Sequence, residues 1–167
     1  MSQRRLFDAY LMVDWSASSR PKRGKDSIWI AFHSGRRRDL ENVPTRELAY
    51  RRCRQLLLES VRDGRRVRAG FDVSFALPAG TLARLRLESW SALWAKLLDE
   101  VQDDERNRNS RFELAAAWNR ALTGGAAPFW GCPPAMASRL LRPTRPARFD
   151  LPERRVCEQR AGARSTW

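Results

Sequence analysis

The order of the short apolar segments limits what this chain can fold into. Residues 7–14 and residues 27–33 each have the composition of a β-strand, and a polar loop separates them. A segment with apolar residues at helical spacing then begins after Thr45 and ends near Gly64. Residues 65–73 form the next strand-like segment. A hairpin followed by a crossover helix predicts an α/β fold with a mixed sheet, and it excludes a plain doubly wound order.

The remaining elements are predicted from periodicity and capping patterns. Residues 36–42 predict a short third strand, and residues 90–101 carry the clearest helical periodicity in the chain. Ser110 and Glu113 have the spacing of a capping box, which predicts a helix from Arg111 to Leu122. The apolar side chains of the periodic segment are expected to be buried against the sheet or a neighbouring helix. They include Leu93, Trp94, Leu97 and Leu98.

Composition changes near residue 133. Beyond it, arginine and proline are frequent and large apolar residues are few. This shift predicts a folded domain over residues 1–133 and a basic, loosely packed tail over residues 134–167.

The chain is strongly basic. It has 167 residues, with 32 Lys and Arg against 19 Asp and Glu and a net charge of +13, and only three of the basic residues are lysine. A basic surface attracts phosphate-rich partners, so nucleic acid is the expected partner. A GC-rich genome also favours arginine codons, so charge alone leaves both explanations open.

Several features bear on the compartment. No apolar run reaches the roughly 18 residues of a membrane span, so no membrane contact is expected. The three cysteines are far apart in sequence, which is unlike a zinc knuckle or a disulfide framework and predicts reduced thiols. Arg4 and Arg5 resemble a twin-arginine export signal, but the apolar run behind them is too short. We therefore expect a cytoplasmic protein.

Two predicted strands end on an aspartate, Asp14 and Asp72. Neighbouring strands in a sheet lie about 4.8 Å apart, so the two carboxylates can meet at one edge. Paired carboxylates bind a hard cation such as Mg²⁺ or Mn²⁺, which supports phosphodiester cleavage. The alternative is that each aspartate caps a turn, which is its commoner role.

The sequence Asp14-Trp15-Ser16 and the segment from Gly70 to Pro78 resemble an uncharacterised family of predicted RNase H-like nucleases. In that family an aspartate closes the first strand, and a second aspartate precedes a Leu-Pro pair after the fourth strand. Asp14 and Asp72 with Leu77-Pro78 occupy these places here, and the likeness covers residues 7–131. The resemblance implies an RNase H-like fold and phosphodiester hydrolysis that depends on a divalent metal.

Nucleases of this type usually carry a further acid on a later helix. Glu113 is the candidate for this third catalytic acid. Other acids that could take the role are Asp103, Asp104, Glu153 and Glu158. No clear fifth strand or closing helix is evident, so the chain resembles a shortened or truncated member of the family. Missing ligands would leave a binding fold without catalysis.

Candidate binding residues surround the first aspartate. Trp15 and Ser16 follow Asp14 directly, and Trp15 could stack a base or sugar or could instead pack beneath the hairpin. The loop at the hairpin tip carries basic side chains that could contact phosphates. These are Lys22, Arg23 and Lys25. The loop resembles part of a Walker motif but lacks its first glycine and its Ser or Thr, so a P-loop is excluded.

Two other functions compete with a nuclease. One is a non-catalytic RNase H-like module that binds nucleic acid or protein. The other, least favoured, is a phosphotransferase of the actin and sugar-kinase kind, which needs a glycine-containing phosphate turn that Ser16-Ala17-Ser18 does not supply. His33 is the single histidine and lies in a predicted strand, so a Ser-His-Asp triad is not expected.

Overall fold

The computed structural model describes residues 6–74, 77–146, 150–152 and 154–162. The chain divides into two compact units. Unit 1 comprises residues 1–73 and 103–109, and unit 2 comprises residues 74–102 and 110–167. A short stretch between two helices of unit 2 therefore belongs to unit 1.

The elements of unit 1 are β1 (Ala9–Asp14), β2 (Ile28–Ser34), β3 (Arg37–Val43), α1 (Arg46–Arg62) and β4 (Val67–Phe71). The strands form a mixed sheet with the order β3-β2-β1-β4. Strand β1 pairs antiparallel with β2 and parallel with β4, while β2 pairs antiparallel with β3. These pairings confirm the predicted hairpin, the third strand and the parallel strand after the helix.

The core of unit 1 lies between one face of the sheet and α1. Alternate residues of β1 and β2 are buried, which is the period-2 pattern that the sequence shows. They meet the apolar face of α1, and Thr45 caps that helix by accepting a hydrogen bond from the Leu48 amide at 3.3 Å. The buried members of this core are Ala9, Leu11, Val13, Ile28, Ile30, Phe32, Ala49, Cys53 and Leu56. Burial also raises the pKa of the Cys53 thiol, which keeps it protonated.

Unit 2 is helical in its described residues. Its two longest helices span Trp90–Glu100 and Arg111–Thr123. Its buried residues include Leu93, Trp118, Leu140 and Leu141. Residues 134–136 form one turn of 3₁₀-helix. The α-helices of unit 2 are α2 (Thr81–Arg84), α3 (Trp90–Glu100), α4 (Arg111–Thr123) and α5 (Val156–Arg160).

Buried Asn119 organises the chain that follows α4. Its amide nitrogen donates to the carbonyl oxygens of Phe129 and Leu140 at 2.8 and 2.7 Å, and its Oδ1 accepts from the Phe129 amide at 2.8 Å. Leu140 and Leu141 thus pack in unit 2 although they follow residue 133. A domain boundary at residue 133 stays a prediction.

The expected burial of the α3 stripe is confirmed for Leu93 and wrong for Trp94 and Leu98, while Leu97 is half-buried. Leu93 is buried, but Trp94 is 44% exposed and Leu98 is 86% exposed. Helical periodicity shows which side chains share a face, whereas burial also requires neighbouring elements wide enough to cover that face. In the part of the chain that the structure describes, only the Leu93 side of the stripe is fully covered.

Truncation of α3 side chains should separate these positions. We expect Leu93→Ala to lower the free energy of unfolding by about 2–5 kcal/mol, because it empties a packed site. Leu98→Ala should change it by less than about 0.5 kcal/mol, since the side chain is already solvated. Urea denaturation of the two variants measures the difference. Equal losses would mean that Leu98 is covered in solution.

The predicted capping box at α4 is also wrong, although the helix begins at Arg111 as predicted. The Ser110 hydroxyl accepts from the Gln102 amide at 2.9 Å and makes no capping bond with the helix. Its backbone, at φ −89° and ψ 21°, is not in the extended conformation that an N-cap needs.

None of the helices in the described ranges has both the length and the apolar composition that a membrane span requires.

Candidate functional site

Asp14 and Asp72 leave the sheet at the same edge. Val13 of β1 lies opposite Phe71 of β4 in the parallel ladder, and the two aspartates follow these residues. The Asp72 amide donates to the Val13 carbonyl at 2.9 Å, which continues the ladder by one step. Val13 faces the core, so side-chain alternation along β1 assigns Asp14 to the opposite face, and Asp72 follows directly after the end of β4. The structure therefore brings the two predicted metal ligands to neighbouring positions.

The surroundings of these two carboxylates differ from those of most acids in unit 1. Asp14 and Asp72 are exposed, and neither side-chain carboxylate forms a hydrogen bond or ion pair within the described residues. Other acids of the unit are held by arginine. They are Asp8, Asp39, Glu41, Glu47, Glu59, Asp63, Asp103 and Asp104. Neighbouring carboxylates without cationic partners are the kind of oxygen ligands that a divalent cation can share.

The donor set available for a cation is small. Among the described residues there is no group of three or more His, Cys, Asp or Glu that could hold a metal ion. Mg²⁺ commonly takes only one or two protein carboxylates and completes its coordination with water and substrate phosphate. Asp14 and Asp72 supply the number and type of protein ligands that such a site uses.

Three of the other acids considered as metal ligands are engaged elsewhere. Asp103 forms a two-pronged ion pair with Arg46. Hydrogen bonds from Arg108 hold the pKa of Asp104 below its ordinary value. Hydrogen bonds from Arg155 lower the pKa of Glu158 in the same way. Glu153 lies outside the described residues. Glu113 lies in the first turn of α4 in unit 2, and its catalytic role stays a prediction.

Trp15 and Ser16 both have structural contacts. The Trp15 ring meets Phe71 edge to face, with ring centroids 6.5 Å apart, and packs against the core of unit 1. The Ser16 hydroxyl donates to the Asp26 carbonyl at 3.0 Å and accepts from the Ser18 amide at 3.2 Å. Ser16 therefore shapes the loop after β1, whereas part of Trp15 remains accessible.

The basic loop lies at the same end of the sheet as the aspartates, because it joins the end of β1 to the start of β2. Asn42 anchors its tip: it accepts from the Gly24 amide at 2.8 Å, and its carbonyl accepts from Arg23. Gly24 has a φ of +80°, which few other residues adopt. The Lys22 Nζ atom lies 3.6 Å from Oδ2 of Asp26, and the Lys25 side chain is exposed.

No protein-family model, curated protein or solved structure matches this chain. The RNase H-like resemblance thus rests on the sequence motifs around Asp14 and Asp72.

A buried arginine that the sequence did not reveal holds this region together. Arg46 is 7% exposed, and its guanidinium grips Asp103 through two hydrogen bonds of 2.6 Å. It also donates to the Ser18 carbonyl at 2.9 Å and to the Asn107 carbonyl at 2.6 Å. Arg46 therefore ties the loop after β1 to the segment 103–109.

Asn107 completes this arrangement, which we call the Arg46 clamp (Arg46, Asp103 and Asn107). Its Oδ1 accepts from the Arg46 amide at 2.8 Å, and its Nδ2 donates to the carbonyls of Arg20 and Pro44 at 3.3 and 3.2 Å. Asn107 has a φ of +66°, a conformation that asparagine tolerates better than most residues. The only sequence signal that could have pointed to Asn107 is its position in the polar segment between two predicted helices.

Proposed function

We propose that this chain is an RNase H-like phosphodiesterase that depends on a divalent metal and acts on nucleic acid. The observation that carries the proposal is the adjacency of Asp14 and Asp72 at one edge of the sheet, without arginine partners in the described residues. In a chain of net charge +13, most acids of unit 1 are neutralised by arginine. Two neighbouring acids left without such partners are suited to a cation.

The strand order supports the same proposal. A hairpin and third strand, a crossover helix and a fourth strand parallel to the first make up the order that the resemblance implies. The first and fourth strands are adjacent in this order, which is why Asp14 and Asp72 emerge side by side.

In this proposal Asp14 and Asp72 hold Mg²⁺ or Mn²⁺ through carboxylate oxygens. When bound, the metal supplies an activated water and stabilises the leaving oxygen. Lys22, Arg23 and Lys25, on the loop at the same end of the sheet, attract the phosphodiester backbone and hold it by charge. We also propose a cytoplasmic location, which the free thiols of Cys53, Cys132 and Cys157 support.

The competing proposal is a binding module without catalysis. It is favoured by the small donor set, since only two candidate ligands come together in the described residues. In that case the basic surface would still bind nucleic acid, and affinity would fall with salt.

A metal-titrated cleavage assay on the wild-type chain tests the proposal. We expect labelled single-stranded and double-stranded DNA and RNA to reveal cleavage of at least one substrate in Mg²⁺ or Mn²⁺, and none in EDTA. Binding measured in EDTA over a salt series runs in parallel. Salt-sensitive binding without turnover in any divalent metal would favour the binding module. Absence of both at low salt would overturn the nucleic-acid assignment.

A further inference from the structure

A pocket of about 720 Å³ opens in unit 1 beside the end of β1. Trp15 lines it together with Leu48 and Tyr50 from the first turns of α1. Leu48 is 46% exposed and Tyr50 is 59% exposed, although both are large apolar side chains. The pocket therefore offers two aromatic rings and an aliphatic side chain to solvent, in a size range that suits a small planar group.

The charges that line the pocket nearly balance, with three arginines against four acids, and two of the ion pairs form within the lining. Arg51 pairs with Glu47 at 2.6 Å, and Arg46 pairs with Asp103 at 2.6 Å. Paired charges leave little net field to attract a phosphate or a metal ion. The lining instead favours an uncharged ring that stacks on the aromatic side chains and finds hydrogen-bond partners at the rim.

The wall of the pocket is held in place before any ligand arrives. The Arg46 clamp fixes both the loop after Trp15 and the segment 103–107. A wall fixed in this way loses little conformational entropy when a ligand binds.

The pocket lies next to the proposed metal site along the chain. Trp15 follows Asp14 directly, and consecutive Cα atoms are about 3.8 Å apart. Trp15 packs on the α1 side of the sheet, whereas Asp14 is at a position on the other side. A nucleic-acid strand that crosses this edge of the sheet can therefore contact both Asp14 and Trp15.

We propose that this pocket binds an unpaired nucleobase of single-stranded nucleic acid, which stacks on Trp15 and Tyr50. The inference rests on the nucleic-acid contact of the proposed function but not on cleavage. A base within a duplex has both faces covered by its neighbours, so it cannot enter the pocket without leaving the stack. The pocket thus selects single strands.

Tyr50 is the residue to change, because it is exposed and its loss leaves the core intact. We expect Tyr50→Ala to weaken binding of a fluorescein-labelled single-stranded oligonucleotide by about 5- to 150-fold in fluorescence anisotropy. Tyr50→Phe keeps the ring and should bind as the wild type does. Val61→Ala, at a 71% exposed position on the same helix outside the pocket, is the matched control and should also leave binding unchanged.

The same oligonucleotide annealed to its complement provides the second arm. Duplex affinity should be the same for the wild type and Tyr50→Ala. Unchanged single-strand affinity in Tyr50→Ala, an equal loss for single strand and duplex, or no single-strand binding by the wild type at low salt would each overturn the inference. If Tyr50→Ala weakens single-strand binding but the wild type cleaves nothing in a divalent metal, the base-binding pocket is supported and the nuclease proposal is rejected. If the wild type cleaves nucleic acid but Tyr50→Ala binds it as tightly as the wild type does, the nuclease proposal is supported and the base-binding pocket is rejected.

Discussion

Asp14→Asn is expected to lower metal-dependent cleavage at least about a hundredfold, because metal-ion stabilisation of a phosphoryl transition state contributes several kcal/mol. Asparagine has nearly the same shape as aspartate but lacks the charge that holds the cation. The side chain is exposed, so the unfolding midpoint should hardly change. Removal of a negative charge should leave nucleic-acid binding in EDTA as tight as in the wild type or slightly tighter.

Asp99→Asn is the matched control for this experiment. It makes the same change in charge at an exposed aspartate of α3 that has no ion pair among the described residues. Its cleavage rate should equal that of the wild type, whereas Asp72→Asn should follow Asp14→Asn. Cleavage by Asp14→Asn at the wild-type rate would reject the metal site.

Arg46→Met should be among the most destabilising substitutions in unit 1, with a loss of about 2–4 kcal/mol in the free energy of unfolding, because the buried guanidinium donates several charge-assisted hydrogen bonds. It leaves the Asp103 carboxylate without its partner and removes the donors to the carbonyls of Ser18 and Asn107. Methionine fills much of the volume, so the loss reports the missing hydrogen bonds and charge. Urea denaturation followed by circular dichroism measures it.

Arg51→Met, five residues further along α1, is the control. Arg51 also pairs with a carboxylate at 2.6 Å, but its side chain is 71% exposed, and such pairs contribute about 0.5 kcal/mol or less. A similar small loss in both variants would show that the Arg46 clamp does not stabilise the fold.

The sequence was sufficient for the sheet and for the adjacency of Asp14 and Asp72. Alternating burial in β1 and β2 is a local pattern, and the hairpin-then-crossover order leaves few topologies. Once β4 lies parallel to β1, two aspartates that each end a strand must emerge at one edge. That part of the candidate site follows from residues that are close in sequence or ordered by topology.

Other features depend on contacts that no local pattern encodes. Leu98 shares a periodic face with Leu93, yet only the arrangement of neighbouring elements decides that one is exposed and the other buried. Ser110 has the spacing of a capping residue, but its hydroxyl is taken by the Gln102 amide. Arg46 looks like an ordinary first-turn residue in the sequence, since the groups that bury it are far along the chain.

The distance along the chain between the members of the Arg46 clamp has a consequence for synthesis. Asp103 and Asn107 follow Arg46 by 57 and 61 residues. The whole sheet therefore emerges from the ribosome before the groups that bind the Arg46 guanidinium. Until then the arginine must stay hydrated and the loop after Asp14 lacks its anchor. The first unit is therefore still incomplete when its sheet has left the exit tunnel, and its last contacts form only after α3 of the second unit has been translated.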